Sequence, residues 1–140
     1  MRNLVFAALA IVVAGGAFFF FGRNGGMSEA ELIDALAERA AQINSADGER
    51  FDDFSELVSA TAVERQITVR GETFLDAEAV PEDYLENRRI QTARILCEGE
   101  QSRAMMEAGA THVFNWWTAD DVSIGMVTLR GDAVCGELGF

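Results

Sequence analysis

The chain has 140 residues, which is enough for one ordinary domain, and it carries 23 acidic residues against 11 basic ones, a net charge of −12. Proteins that bind nucleic acid present a basic patch to the phosphates, so we exclude DNA and RNA as partners. The acidity favours solubility, and it would also suit a basic partner.

An uncharged apolar run extends from Leu4 to Phe21 and is followed by the glycine-rich stretch GRNGG. Its eighteen residues would span about 27 Å as a helix, just enough for the hydrocarbon core of a bilayer. We predict that residues 1–27 are an uncleaved membrane anchor with its tether, and that residues 4–21 contact the membrane. The alternative is a cleaved signal peptide processed at the small residues Ala14–Ala17, which we disfavour because the mature chain would begin with four phenylalanines.

The charges beside the apolar run predict its orientation. Arg2 and the terminal amine precede it, whereas only Arg23 and then strongly acidic sequence follow it. The positive-inside rule therefore favours an N-terminus in the cytoplasm. We predict a single-pass protein of the inner (cytoplasmic) membrane, with residues 28–140 forming an extracytoplasmic α+β domain on the periplasmic side.

The first part of this domain changes its hydrophobic period from helical to extended. Ser28 and Glu31 form an S-x-x-E capping box before an apolar stripe, which predicts a helix from Glu29 to Ile43. Apolar and polar residues then alternate, which predicts a strand over about Ala62 to Phe74, with Gly71 as a possible bulge.

The second part reads as two helical pieces followed by a hairpin. Helix is predicted from Pro81 to Cys97 and over EQSRAMMEAG, with Gly109 as the C-terminal cap. Two strands follow, Thr111–Thr118 and Val122–Arg130. The order α-β-α-β-β predicts an α+β fold, in which two to three helices pack on a mainly antiparallel three-stranded sheet.

The two cysteines, Cys97 and Cys135, are far apart in sequence and do not form a CxxC motif. An even pair in an exported domain indicates one structural disulfide. If Cys135 were free, Cys97 would be a candidate nucleophile, since Arg94 and Arg103 are near it in sequence.

Four segments carry a resemblance: LIDALAERAAQIN, FSELVSATAVERQITV, ARILCEGEQSRAMMEAGATHVFNWW and VSIGMVTLRGDAVC. Together they resemble small, uncharacterised exported bacterial α+β domains with the same element order. In those domains a helical cysteine pairs with one that follows the final strand, so the resemblance supports the fold and the Cys97–Cys135 pair. It implies no activity.

Few residues suggest chemistry. His112 is the only histidine, and it is predicted to lie within a strand, where a structural role is the common one. No HExxH, GxSxG, P-loop or GxGxxG motif occurs. The aspartate pairs 52–53 and 120–121 lack the spaced oxygen ligands of a calcium loop. We therefore predict no catalytic residue, no metal site and no cofactor.

The predicted hairpin HVFNWWTADDVSIGM has apolar side chains on both faces, whichever turn joins its strands. One face must pack on the helices, and the other is either covered or available to a partner. We predict a non-catalytic binding or assembly module that contacts another envelope protein through the hairpin. The partner-binding residues are Trp116, Trp117, Val113, Ile124 and Met126. The alternative is a small-ligand carrier or enzyme with a cleft between sheet and helices, in which His112, Tyr84 or Arg103 supplies the polar group.

Overall fold

A computed structural model describes residues 26–140 of the protein. The predicted anchor, Leu4–Phe21, lies outside these residues, and the domain boundary at residue 28 stays a prediction. The described elements, in chain order, are α1 (Glu29–Ser45), β1 (Glu49–Asp52), β2 (Ser55–Val63), β3 (Gln66–Thr73), a 3-10 turn (Ala77–Ala79), α2 (Tyr84–Glu98), α3 (Glu100–Glu107), β4 (Thr111–Trp117), β5 (Ser123–Arg130) and α4 (Ala133–Glu137).

The strands form one five-stranded sheet in the order β1-β2-β3-β4-β5. All neighbours are antiparallel except β3 and β4, which are parallel because α2 and α3 carry the chain back between them. The predicted α+β class is confirmed, but the predicted three-stranded sheet and the order α-β-α-β-β are wrong. The predicted strand Ala62–Phe74 is a hairpin of β2 and β3, and the short polar strand β1 was not predicted.

The core lies between one face of the sheet and the helices. α1 packs on β2 and β3, whereas α2 packs on β5 and against α3 and α4. The sheet contributes alternate residues of β2 to β5 to this core, among them Leu57, Ile67, Val69, Phe114 and Leu129. The opposite face carries mostly polar side chains, and we call it the open face.

Helix α1 begins where the sequence predicts. The Ser28 hydroxyl accepts a hydrogen bond from the Glu31 backbone N–H at 3.2 Å and donates one to the Glu31 carboxylate at 3.0 Å. This arrangement satisfies an N–H group that the first helical turn leaves without a partner. One turn later Leu32 and Leu36 are fully buried against the sheet.

The predicted disulfide is confirmed. Cys97, near the end of α2, bonds to Cys135 in α4, and both residues are buried. The bond closes a loop across 38 positions and thereby ties the C-terminal helix to the helical layer. Within residues 26–140, no helix is long and apolar enough to cross a membrane.

Candidate functional site

The pairing of β4 with β5 places the two tryptophans on opposite faces of the sheet. Trp116 pairs with Gly125 and Trp117 with Ser123, across a local shift of register. Trp116 is fully buried in the core, and its ring meets Phe51 edge-on at a centroid distance of 5.2 Å. Trp117 lies on the open face and is partly exposed.

Gly71 makes room for the Trp116 indole, and Gly125 makes room for Leu85. The neighbours of Trp116 in the adjacent strands are Gly71 of β3 and Gly125 of β5, neither of which has a side chain. A Cβ at Gly71 would stand 2.5 Å from the Trp116 ring, well inside van der Waals contact. The bulge expected at Gly71 is instead in β2, where the register shifts between Leu57 and Ser59, opposite Gly71.

A buried arginine lies against the Trp116 ring. The Arg88 guanidinium is 4.5 Å from the centroid of the indole, and it also lies over the rings of Phe51 and Tyr84. It donates a hydrogen bond to the Asp52 carboxylate at 2.6 Å. Burial alone would raise the pKa of Asp52, but hydrogen bonds from Ser55, the Phe54 backbone and Arg88 outweigh burial and lower it. The Arg88–Asp52 pair therefore joins α2 to β1, and the rings of Phe51, Tyr84 and Trp116 surround the guanidinium.

Apolar side chains gather at the end of the sheet where β4 turns into β5. Phe54 and Phe74 are 63% and 57% exposed, and their backbones are hydrogen-bonded to each other at 2.7 Å. Phe54 precedes β2 and Phe74 follows β3, each by one residue; their neighbours Ser55 and Thr73 pair with each other and are buried on the core side, so continued alternation places both phenylalanines on the open face, with Trp117 and the exposed Met126. With Val122 in the hairpin loop, these residues form what we call the hairpin-end patch: Phe54, Phe74, Trp117, Val122 and Met126.

Charges surround this patch. The Arg70 guanidinium stacks 4.3 Å from the Trp117 ring centroid, and it is neutralised by Glu72 at 3.0 Å and Asp121 at 2.6 Å. Glu56 lies across from Glu72 on the same face. Asp53, beside Phe54, pairs with Arg50 at 2.8 Å, and its side chain is 84% exposed. The rim of the patch is therefore acidic.

The structure divides the five predicted partner-binding residues between the two faces. Trp117 and Met126 belong to the hairpin-end patch, and Val113 lies on the same open face, although only 9% of it is exposed. Trp116 is in the core. Ile124 lies at the register shift between β4 and β5, and its partly buried side chain packs against the core. Sequence reasoning missed Phe54 and Phe74, because each lies far from the hairpin in sequence and only the sheet brings them to its end.

A second feature is a cleft of about 240 Å³ between the helices and the core face of the sheet. His112 lines it, but Tyr84 and Arg103, which the alternative hypothesis also named, do not. Tyr84 is in the core, and Arg103 pairs with Glu107 at 3.3 Å on the surface of α3. Burial and the nearby positive charge of Arg39 lower the pKa of His112 from 6.5 to about 4, so the ring is neutral at pH 7.

Comparison with solved structures identifies the fold. The pilotin AspS of the Vibrio cholerae type II secretion system superposes with a TM-score of 0.63 at 13% identity, over 76% of this chain and 94% of that one. EpsS, a pilotin of the Vibrio vulnificus type 2 secretion system, gives 0.64 at 12% identity over the same shares. The chain shares its fold with these pilotins.

A protein assigned as secreted in Pseudomonas aeruginosa also matches, with a TM-score of 0.59 at 15% identity, over 76% of this chain and 93% of that one. No family model and no curated protein sequence matches the chain. The expected likeness to exported α+β domains is thus confirmed at the level of the fold and of the cysteine pair.

These comparisons correct the predicted localisation. The single-pass placement in the inner membrane is wrong, since the matched structures are secretion-system pilotins and a protein assigned as secreted, and residues 26–140 contain no helix able to cross a membrane. The predicted membrane placement rested on the apolar run Leu4–Phe21 and the charges beside it, and a signal sequence also contains such a run.

Proposed function

We propose that the domain is a non-catalytic module that binds another protein of the cell envelope and helps to assemble a secretion apparatus. The fold supports this proposal, because two of the matched structures are type II secretion system pilotins and the match covers nearly all of each. A shared fold does not by itself imply a function, so the proposal also rests on a surface of this chain.

The hairpin-end patch is that surface, and it is the observation that carries the proposal. Exposed phenylalanine, valine and methionine side chains cluster there with a partly exposed tryptophan, a composition typical of protein interfaces. Trp117 is already held by its stack on Arg70, so little conformational entropy is lost when a partner covers it. The acidic rim selects a partner segment that presents apolar side chains flanked by lysine or arginine.

Site-specific photocrosslinking in cells tests this proposal. A photoreactive phenylalanine at Phe74 should give one dominant adduct with an envelope protein, which mass spectrometry identifies. The matched control is Val63, which is 65% exposed at the opposite end of the same face and should give no adduct. Trp117→Asp, introduced beside the Phe74 probe, should abolish the adduct, while circular dichroism and urea unfolding show an intact fold.

Two results would refute the proposal. One is an equal yield of the same adduct from Val63, which would mean that the patch is not distinguished from the rest of the open face. The other is an adduct at Phe74 that survives Trp117→Asp in the folded protein, since the partner would then not need the patch.

A further inference from the structure

A cleft lies between the sheet and the helices. It lies on the core face, on the other side of the sheet from the hairpin-end patch, and most of its wall is apolar. The apolar lining comes from α1, the sheet, α2 and α3, and includes Ile43, Leu57, Ile67, Leu96, Met105 and Phe114. Ile95 lines it too and is 46% exposed, so the cleft reaches the surface.

Two buried polar groups on its walls have no partner. His112, on β4, is 4% exposed, and its Nδ1 makes no hydrogen bond to any described residue. Thr92, on α2, is 1% exposed, and its hydroxyl is likewise without a partner. An unsatisfied buried polar group costs about 1–3 kcal/mol, so two of them lining one cleft call for an explanation. A bound molecule with hydrogen-bonding atoms of its own would supply one.

The charges on the wall indicate the polarity of that molecule. Arg39 and Arg50 line the cleft, and both are paired: Arg39 binds both oxygens of Glu49, which also lines the cleft, and Arg50 binds the exposed Asp53 at 2.8 Å. A wall with two arginines is unusual in a chain whose acidic residues outnumber its basic ones by 23 to 11. Arg39 is also near enough to His112 for its charge to be felt at the imidazole. An anionic group placed here would share Arg39 with Glu49 and would meet the imidazole at the same time.

The volume sets the size of the molecule. A cleft of about 240 Å³ has the volume of roughly eight water molecules in the liquid, and a methylene group is of similar size. We propose that the cleft binds an aliphatic monocarboxylic acid of about eight carbons. The carboxylate lies against Arg39 and His112, and the chain lies along Ile43, Leu96 and Met105.

Isothermal titration with sodium octanoate on the purified protein tests this site. For about ten non-hydrogen atoms we expect a Kd on the order of 0.1 mM. Butanoate should bind at least tenfold more weakly because it leaves half of the cleft unfilled. Methyl octanoate, which keeps the chain but has no charge, should also bind at least tenfold more weakly. Equal affinity for the ester would overturn the proposal, because it would show that any acyl chain, including that of a lipid, is accepted.

Variants locate the binding. Arg39→Met should weaken octanoate binding at least tenfold, whereas Arg65→Met, at an arginine whose side chain is 60% exposed outside the cleft, should leave it unchanged. Thr92→Val keeps the shape of the side chain and loses only the hydroxyl, so it should fold normally and bind several-fold more weakly. An unchanged affinity in both Arg39→Met and Thr92→Val would refute the site even if octanoate binds.

Methyl NMR gives an independent readout without any substitution. Met105 lines the cleft and Met126 is 62% exposed on the open face, so the two methyl resonances report on the two sides of the sheet. Octanoate should shift the Met105 signal in a saturable way and leave Met126 in place. A shift confined to Met126, or no saturable shift at either methyl, would overturn the proposal and would leave the hairpin-end patch unaffected.

Discussion

Acidification should destabilise this domain through one residue, because His112 is the only histidine and the native fold holds it neutral. Its ordinary pKa of 6.5 falls to about 4 in the folded protein, through burial and then the charge of Arg39. Between these two values the unfolded chain binds a proton that the native chain does not bind. The free energy of unfolding therefore falls as the pH is lowered from 6.5 towards 4, and it is fully regained above pH 6.5.

The size of this effect follows from the two pKa values. Between pH 7 and pH 5 the unfolded histidine takes up most of one proton, and the native ring takes up about a tenth of one. Integrating that difference gives a loss of about 2 kcal/mol. No other side chain has an ordinary pKa in this window, and the carboxylates with lowered pKa, such as Asp52, lose their contribution only below about pH 4.

Urea unfolding of the ligand-free protein at pH 7, 6 and 5, followed by circular dichroism, measures the effect. The matched variant His112→Leu has nearly the same volume and cannot titrate, so its free energy of unfolding should be flat across the window. At pH 7 it should equal or exceed that of the wild type, because the unpartnered Nδ1 is removed. A flat wild-type profile, or a slope that persists in His112→Leu, would refute the assignment of a buried neutral imidazole.

Two further substitutions test the packing around Trp116, each by urea unfolding against a matched control. Arg88→Met removes a guanidinium whose side chain is only 6% exposed and leaves its carboxylate partner behind, so it should lower the free energy of unfolding by about 3 kcal/mol. In the control, Arg89→Met, the arginine side chain is 35% exposed, so the free energy of unfolding should change by less than about 1 kcal/mol. Equal losses in the two variants would mean that the buried Arg88–Asp52 pair stabilises the fold no more than an exposed pair does. Gly71→Ala forces a Cβ into the Trp116 ring and should lower the free energy of unfolding by about 1–3 kcal/mol. In the control, Gly136→Ala, the new Cβ meets no atom within 4 Å, so the free energy of unfolding should hardly change. If Gly71→Ala were also neutral, the indole would be able to move aside.

The elements that could be predicted are those whose signals are local. Helix α1 begins at its capping box, and its predicted end at Ile43 is within two residues of the observed one at Ser45. The strands of the C-terminal hairpin and the second helical piece, with Gly109 in a left-handed conformation after it, also lie where periodicity and capping place them. Each of these signals needs only residues within a few positions of the element that it specifies.

The β2–β3 hairpin was missed because its turn has no glycine, asparagine or aspartate. The strands are joined through Glu64 and Arg65, and Glu64 adopts a φ of 53°, a left-handed conformation that a glutamate rarely takes. Without a turn signal, the alternation from Val63 to Val69 reads as one continuous strand. The pairing of nine-residue β2 with β3 holds the strained turn, and that pairing is a tertiary effect.

The partner surface, too, could be predicted only in part from the sequence, because it depends on tertiary packing. Alternation alone predicts that Trp116 and Trp117 point to opposite faces, but it cannot say which face the helices cover. That choice depends on Gly71, distant in sequence but adjacent in the parallel strand, because a Cβ at this position would stand 2.5 Å from the buried Trp116 ring. With Trp116 committed to the core, Trp117 must lie on the open face, where the β2 and β3 ends bring Phe54 and Phe74 beside it. The exposed aromatic surface is thus a consequence of how the core is filled, and a substitution that displaced Trp116 would alter the hairpin-end patch as well.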